Sequence, residues 1–183
     1  PDSDNLLVKM VPKNNQPLID KSLAIPTGPR ISVSEGTLAQ NRTFQDLLED
    51  KADEHNFEQL VRSEIYKVNI TGEKSIWKTT AIYSRVDISP DGEYVLCTLV
   101  KKPFSYIVPY DRFPSSSVIY DKQGMEVKVL AESPLLEDIP KGFMATQKGI
   151  RNINWRNDMP SSVYYVEALD DGDPAREVDY RDE

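Results

Sequence analysis

The chain has 183 residues, 22 basic against 30 acidic side chains for a formal charge of −8, and 39% hydrophobic content. That length can bury one substantial core, while the acidic balance argues against nucleic acid as a partner, because phosphate binding needs a basic surface. No apolar run approaches the roughly 20 residues of a membrane-spanning helix, and the single cysteine, Cys97, excludes an internal disulfide or a multi-cysteine zinc site.

In chain order, Pro1-Asp2-Ser3-Asp4-Asn5 reads as a turn before the apolar run 6–11. Residues 13–40 are polar, proline-rich and aperiodic, and read as a long loop insertion. Residues 41–63 read as a helical insertion: Thr43 is placed to cap it, and Phe44, Leu47 and Leu48, then Phe57, Leu60 and Val61, recur at helical spacing. Its acidic residues Asp46, Glu49, Asp50, Asp53 and Glu54 read as a solvated face, and His55, the only histidine, as a surface residue. The runs 64–70 and 75–78 flank Thr71-Gly72-Glu73-Lys74 as a hairpin.

The plainest signal follows. Ser89-Pro90-Asp91-Gly92 is a tight turn, because Pro90 presets φ and Asp91-Gly92 tolerates the rest of the bend. It separates a run at 84–88 from one at 94–101, whose Tyr94, Leu96 and Thr98 alternate with Val95, Cys97 and Leu99. Both faces are apolar, so this strand should be buried on two sides, with Cys97 an inert core thiol. Residues 102–116 form a loop insertion rich in proline and aromatics. The runs 117–121 and 126–130 flank Lys122-Gln123-Gly124 as a second hairpin, and a further insertion covers 134–148. Finally, the run 150–155 enters a turn at 155–162 and emerges as Val163-Tyr164-Tyr165-Val166.

A strand, an Asp-containing turn and a longer apolar strand thus occur three times, each time followed by a further strand pair where the chain is long enough. Four antiparallel strands per unit is the sequence form of a propeller blade. The expected fold is all-β: a partial β-propeller of antiparallel four-stranded blades with a helical insertion, residues 1–183 being a fragment of that domain. The runs 84–88, 94–101, 117–121 and 126–130 should form one complete blade, flanked by partial ones. A two-sheet sandwich is the rival. Such a fragment, removed from its ring, is expected to self-associate through unpaired edges.

Little chemistry is legible. There is no Gly-Xaa-Ser-Xaa-Gly elbow, no HExxH, no P-loop and no complete GxGxxG. No catalytic residue, metal ligand or cofactor is assigned, and the chain alone is not expected to be an enzyme. Asp170-Asp171-Gly172-Asp173 lacks EF-hand spacing and reads as a solvated turn. Asn41-Arg42-Thr43 and Asn69-Ile70-Thr71 are glycosylation sequons, meaningful only in a eukaryotic secretory pathway.

The best candidate surface is the stretch 101–114, which gathers Lys101, Lys102 and Arg112 with Phe104, Tyr106, Tyr110 and Phe113. It reads either as a clamp packing one blade on the next, or as a loop facing a bound peptide. In the second reading Arg112, Lys102, Tyr106 and Tyr110 are the substrate-binding candidates. Arg112 could grip both oxygens of a carboxylate, whereas Lys102 offers a point charge. In the first, Arg112 pairs with Asp111 or Asp121.

The succession "PDSDNLLVKMVP", "IPTGPRI", "RTFQDLL", "SPDGEYVL", "KKPFSYIVPYDRFP", "PKGF" and "YYVEALDDGDPAREVDYRD" resembles the N-terminal propeller of prolyl-oligopeptidase-family serine peptidases. Within that family it is most similar to the glutamyl-endopeptidase-like branch of bacteria and chloroplasts. The resemblance implies a C-terminal α/β-hydrolase domain carrying a serine–aspartate–histidine triad, none of whose positions falls in this chain. It implies a parent protein that cleaves peptides, with acidic residues as the suggested specificity, and a lid role for the present segment. The alternative is a non-enzymatic propeller scaffold that binds a protein or peptide. The chain reads as an internal piece, so its compartment, periplasm or cytoplasm, is not legible.

Overall fold

A computed structural model describes residues 4–23, 44–140 and 142–183. It is mostly β. Six strands, β1 (Asn5–Met10), β2 (Ser63–Asn69), β3 (Lys74–Ile88), β4 (Tyr94–Val100), β5 (Ser115–Asp121) and β6 (Glu126–Ser133), pair antiparallel in sequence order. The sheet is open, with β1 and β6 at its edges. A separate hairpin pairs β7 (Ile150–Trp155) with β8 (Val163–Glu167), and a short antiparallel return continues it, with Ala168 opposite Asp182. One helix, α1 (Lys51–Val61), interrupts the order between β1 and β2.

The runs at 75–78 and 84–88, expected as strands of different blades, are one strand of 15 residues. Nothing between them breaks it: Thr79-Thr80-Ala81-Ile82-Tyr83 contains neither glycine nor proline and is rich in β-branched and aromatic side chains. β3 pairs with β2 as far as Ala81 and with β4 from Ile82 onward. Its two halves therefore belong to two layers, and the first three strands fold across one face of β4 and β5.

The layers are held by two apolar interfaces on opposite faces of β4. On one side Ile65 and Trp77 meet Val95, Cys97, Val118 and Tyr120. The Trp77 ring stands edge-on to Tyr120 at 6.0 Å, and its indole N–H donates to the Lys122 carbonyl. On the other side Leu96, Tyr94 and Ile119 meet Ile153, Trp155 and Val163 of the β7–β8 hairpin. Leu96 and Cys97 are both fully buried, as two apolar faces on one strand require.

The turns carry their own hydrogen bonds. Gly92 N–H donates to the Ser89 carbonyl at 2.8 Å with φ +75°, and the Ser89 hydroxyl accepts from Tyr94 N–H. Asp91 N–H reaches the Pro160 carbonyl at 3.0 Å, so the turns of two successive repeats touch. Asn69, in the second sequon, accepts from Thr71 and Glu73 backbone N–H groups within its own turn. Asn41 and Thr43 lie outside the described residues.

α1 begins later than helical spacing suggested. Phe44, Leu47 and Leu48 precede it in irregular chain, with Asp46 at φ +55°. Asp50 is the cap, its carboxylate accepting from Ala52 and Asp53 N–H at 2.9 Å, and Asp53 and Glu54 favour the positive end of the helix dipole. Segment 14–19 straps the helix: Asn15 and Gln16 bond Gln59, while Ile19 and Asn56 bond reciprocally.

Candidate functional site

The loop between β4 and β5 and the helix α1 form a third apolar cluster. Phe104, Val108 and Phe113 are buried in it, with Phe44, Leu48, Phe57, Ile82, Val100 and Leu135 packed around them. Phe104 and Phe113 stack at 5.2 Å, and Phe57 of α1 presents its edge to both, at 5.2 and 5.8 Å. The aromatics of the loop thus grip a helix inserted far upstream in the sequence.

All four substrate-binding candidates surround that helix and its lead-in. Lys102 Nζ donates to Glu58 at 2.7 Å and lies over the Phe104 ring. Tyr106 donates its hydroxyl to Glu54 at 2.9 Å, with Lys51 near its ring. Tyr110 is exposed and tilts against Phe57 at 6.5 Å. The Arg112 guanidinium sits 4.8 Å over the Phe44 ring, and its Nη1, enclosed by protein, has no hydrogen-bond partner among the described residues. No ion pair joins it to Asp111 or Asp121 among those residues.

Part of the acidic face at the start of α1 is engaged by cations, while Asp46 and Glu49 stay exposed. Lys21 Nζ lies 3.5, 3.3 and 2.9 Å from carboxylate oxygens of Glu49, Asp50 and Asp53. These three carboxylates have the spacing of a cation site, and the lysine ammonium supplies the charge. The backbone N–H of Asp53 is the main cause holding the Asp50 carboxyl below its usual range, burial opposes it, and Lys21 adds to the lowering. His55 bonds the Pro17 carbonyl at 3.0 Å. It meets no side-chain nucleophile among the described residues.

Two cavities flank the middle layer. One, of about 460 Å3, lies between α1, β3 and β4. The other, of about 330 Å3, separates β4–β6 from β7. The second is polar, with Thr98, Ser115, Ser117 and Ser133 facing Arg85 and Arg151. Arg85 is engaged by the Ile153 carbonyl and Asp87, whereas Arg151 pairs with Asp182 through Nη2 alone and its enclosed Nη1 has no hydrogen-bond partner among the described residues. The Asp170–Asp173 turn is likewise filled by protein cations: buried Asp170 accepts from Arg181 Nε at 2.6 Å and from Gly172 N–H, and Asp171 pairs with Lys148 and Arg176.

Sequence reasoning singled out the loop cations but missed Arg62 and Glu58, which share the larger cavity with Lys101 and Lys102 and not with Arg112. Their one available signal was position: both lie at the last turn of the helical pattern, where polar residues normally read as solvent-facing.

The chain is similar to two plant proteins, each named "Probable glutamyl endopeptidase, chloroplastic". The one from Oryza sativa subsp. japonica is 38% identical over 160 residues, 87% of this chain and 17% of that protein. The one from Arabidopsis thaliana is 37% identical over 182 residues, 99% of this chain and 19% of that protein. The chain therefore spans less than a fifth of the length of either relative. No family model matches it, and no solved structure does.

Proposed function

We propose that this chain is the non-catalytic, propeller-forming part of a serine peptidase of the prolyl-oligopeptidase type, covering an active site carried on an α/β-hydrolase domain elsewhere in the parent protein. The observation that carries this reading is the similarity of 99% of the chain to 19% of a protein named as a glutamyl endopeptidase. That name puts glutamate at the cleaved position of the proposed peptide substrate.

The architecture is compatible with blades. Sheets stack face to face, and every pairing in the six-stranded sheet is between neighbours in strand order. The outer face of the first layer displays Leu6 and Ile76, 69% and 53% exposed, beside Val8, Tyr66 and Val68. An apolar face of this kind is what a neighbouring blade would cover. In the isolated chain it is left to pair with a second copy.

The chemistry is also compatible. A serine or cysteine nucleophile needs a base within hydrogen-bond reach. Here the only histidine is held by a proline carbonyl, and burial pushes the Cys97 thiol up to about 12. The test is hydrolysis of a glutamate-containing peptide by the full-length parent and by this chain. The parent is expected to cleave it and to be inactivated by a serine-directed phosphonate, and the chain alone to be inert. Cleavage by the isolated chain, or an inert parent, would overturn the reading.

A further inference from the structure

The interface between β4 and the β7–β8 hairpin changes character along its length. Near Leu96 and Ile119 it is apolar and is closed by Ile153 and Trp155. Two residues further along β4 it opens into the cavity of about 330 Å3, whose sheet-side wall is rich in hydroxyls. The pairing register shows that these converge. Arg85, Thr98 and Ser117 stand opposite one another in one row across β3, β4 and β5, and Ser115 faces Ser133 in the next row. Side chains two apart on a strand share a face, so all five lie on the side of Leu96 and Ile119. The Thr98 and Ser117 hydroxyls are 3.3 Å apart.

The facing wall is built by an irregular strand. Residues 150–154 all line the cavity, which a regular strand, alternating its side chains, does not do. Between Arg151 and Asn154 two residues of β7 stand opposite one of β8, and Asn152 has φ +53°. This is a bulge, a device that re-aims side chains. Arg151 stands at its start with a side chain only 15% exposed; Asp182 holds Nη2, and the enclosed Nη1 has no partner among the described residues. A charged donor left unpaired in the interior is costly, and native structures normally supply it with an acceptor. The cavity wall sets the guanidiniums of Arg85 and Arg151 against one carboxylate, the exposed Asp111. Asp87 and Asp182, which pair with the guanidiniums, are not part of that wall.

We propose that this cavity binds a small phosphate-type oxyanion, either the free ion or the phosphate group of a small ester. Arg151 and Arg85 supply the charged donors, and Thr98, Ser115, Ser117 and Ser133 the hydroxyls. Guanidinium groups only donate and hydroxyls rotate to donate, which suits a ligand whose oxygens accept, and the arginine fork matches phosphate geometry. The bound ion bridges the six-stranded sheet and the β7–β8 hairpin, which are not paired strand to strand. The binding does not rest on the peptidase reading.

The test is equilibrium dialysis of the 183-residue chain against radiolabelled inorganic phosphate, with sodium chloride holding the ionic strength constant. Saturable binding of about one ion per chain is expected, with Kd on the order of 1 mM. Ser117→Ala, which removes one hydroxyl and no charge, should weaken it about tenfold. Arg151→Gln should abolish it, and Arg156→Gln, outside the cavity wall, should leave it unchanged. Hydrogen exchange gives a second readout: at ten times its Kd, phosphate should slow the β7 and β8 amides about tenfold relative to chloride, without slowing those of β1. Unlabelled glycerol phosphate distinguishes the sources. Displacement at a lower concentration than unlabelled phosphate assigns the site to an ester, and displacement at the same or a higher concentration assigns it to the free ion. Absence of saturable binding, which would leave the cavity to water, overturns the proposal. Binding that survives both Ser117→Ala and Arg151→Gln unchanged overturns it too, and Ser117→Ala alone decides if Arg151→Gln fails to fold.

Discussion

Truncating Phe57 to alanine should release α1 without unfolding the sheet. The ring makes edge-to-face contacts with Phe104 and Phe113 at interplanar angles of 86° and 84°, each worth about 0.5–1.5 kcal/mol beyond the area buried. Full removal of a buried phenylalanine costs about 3–5 kcal/mol, and Phe57 is half-buried, so the lower end, about 3 kcal/mol, applies. What remains on the helix is polar: the strap of 14–19 and the bonds from Lys102 and Tyr106. A helix of 11 residues has little stability of its own in water. Hydrogen exchange followed by mass spectrometry should therefore show α1 amides exchanging about a hundredfold faster, since each 1.4 kcal/mol is about tenfold, while β4 amides stay protected. Equal loss in α1 and β4 would refute the reasoning, because the helix would then belong to the same cooperative unit as the sheet. Unchanged protection of α1 would refute it too.

Cys97 should resist a thiol reagent at pH 8 until the chain is unfolded, because it is fully buried and its thiol is raised from 9.0 to about 12 by burial. Above pH 9 the unfolded chain releases that proton while the folded chain keeps it. Stability that is complete below pH 9 should fall by up to about 1.4 kcal/mol per pH unit toward pH 12. Urea titrations at pH 8, 10 and 11 should show the fall, with a shallower slope in Cys97→Ala. Burial raises Tyr83 in the same direction, so some slope should persist in that variant. Gly172→Ala should lower Tm by about 4–8 °C, taking about 2 kcal/mol of strain in a domain of this size: φ is +79° and the new Cβ would stand 2.2 Å from the Thr146 carbonyl oxygen. Gly149→Ala, at φ +81° with nothing within 4 Å, should cost less, and equal losses by calorimetry would show that the contact with Thr146 is unimportant.

Much of the fold was legible where the determinant is local. The turn at Ser89–Gly92, the two-faced strand β4 and the hairpin of β5 and β6 rest on residue types acting within a few positions of one another. The continuity of β3 was less so. The repeat pattern puts the runs 75–78 and 84–88 in different blades, yet nothing in the residues between Lys78 and Ser84 stops a strand. The start of α1 was missed because Phe44, Leu47 and Leu48 have helical spacing, yet Phe44 and Leu48 serve the third cluster from irregular chain, and the cap at Asp50, two residues past Leu48, wins. The surroundings of Lys102 and Tyr106 were illegible for a third reason. Their partners Glu58 and Glu54 lie more than forty residues upstream, and a polar helix face looks the same whether it meets water or a lysine.

The passage of β3 through both layers bears on which changes of length the chain can tolerate. Between Lys78 and Ile82 the strand hands over from one neighbour to the next, and side chains alternate from face to face along it on either side of one irregularity between Tyr83 and Arg85. Removing one residue from Thr79 or Thr80 would turn every later side chain of β3 over. Val86, which packs into the first cluster, would point away, and Arg85 or Asp87 would be driven in. Residues 79–81 are only partly covered, as in a segment that accepts variation, and substitutions there should be mild. Insertions and deletions should not be, unless they come in twos: here parity, rather than residue type, is the inherited constraint.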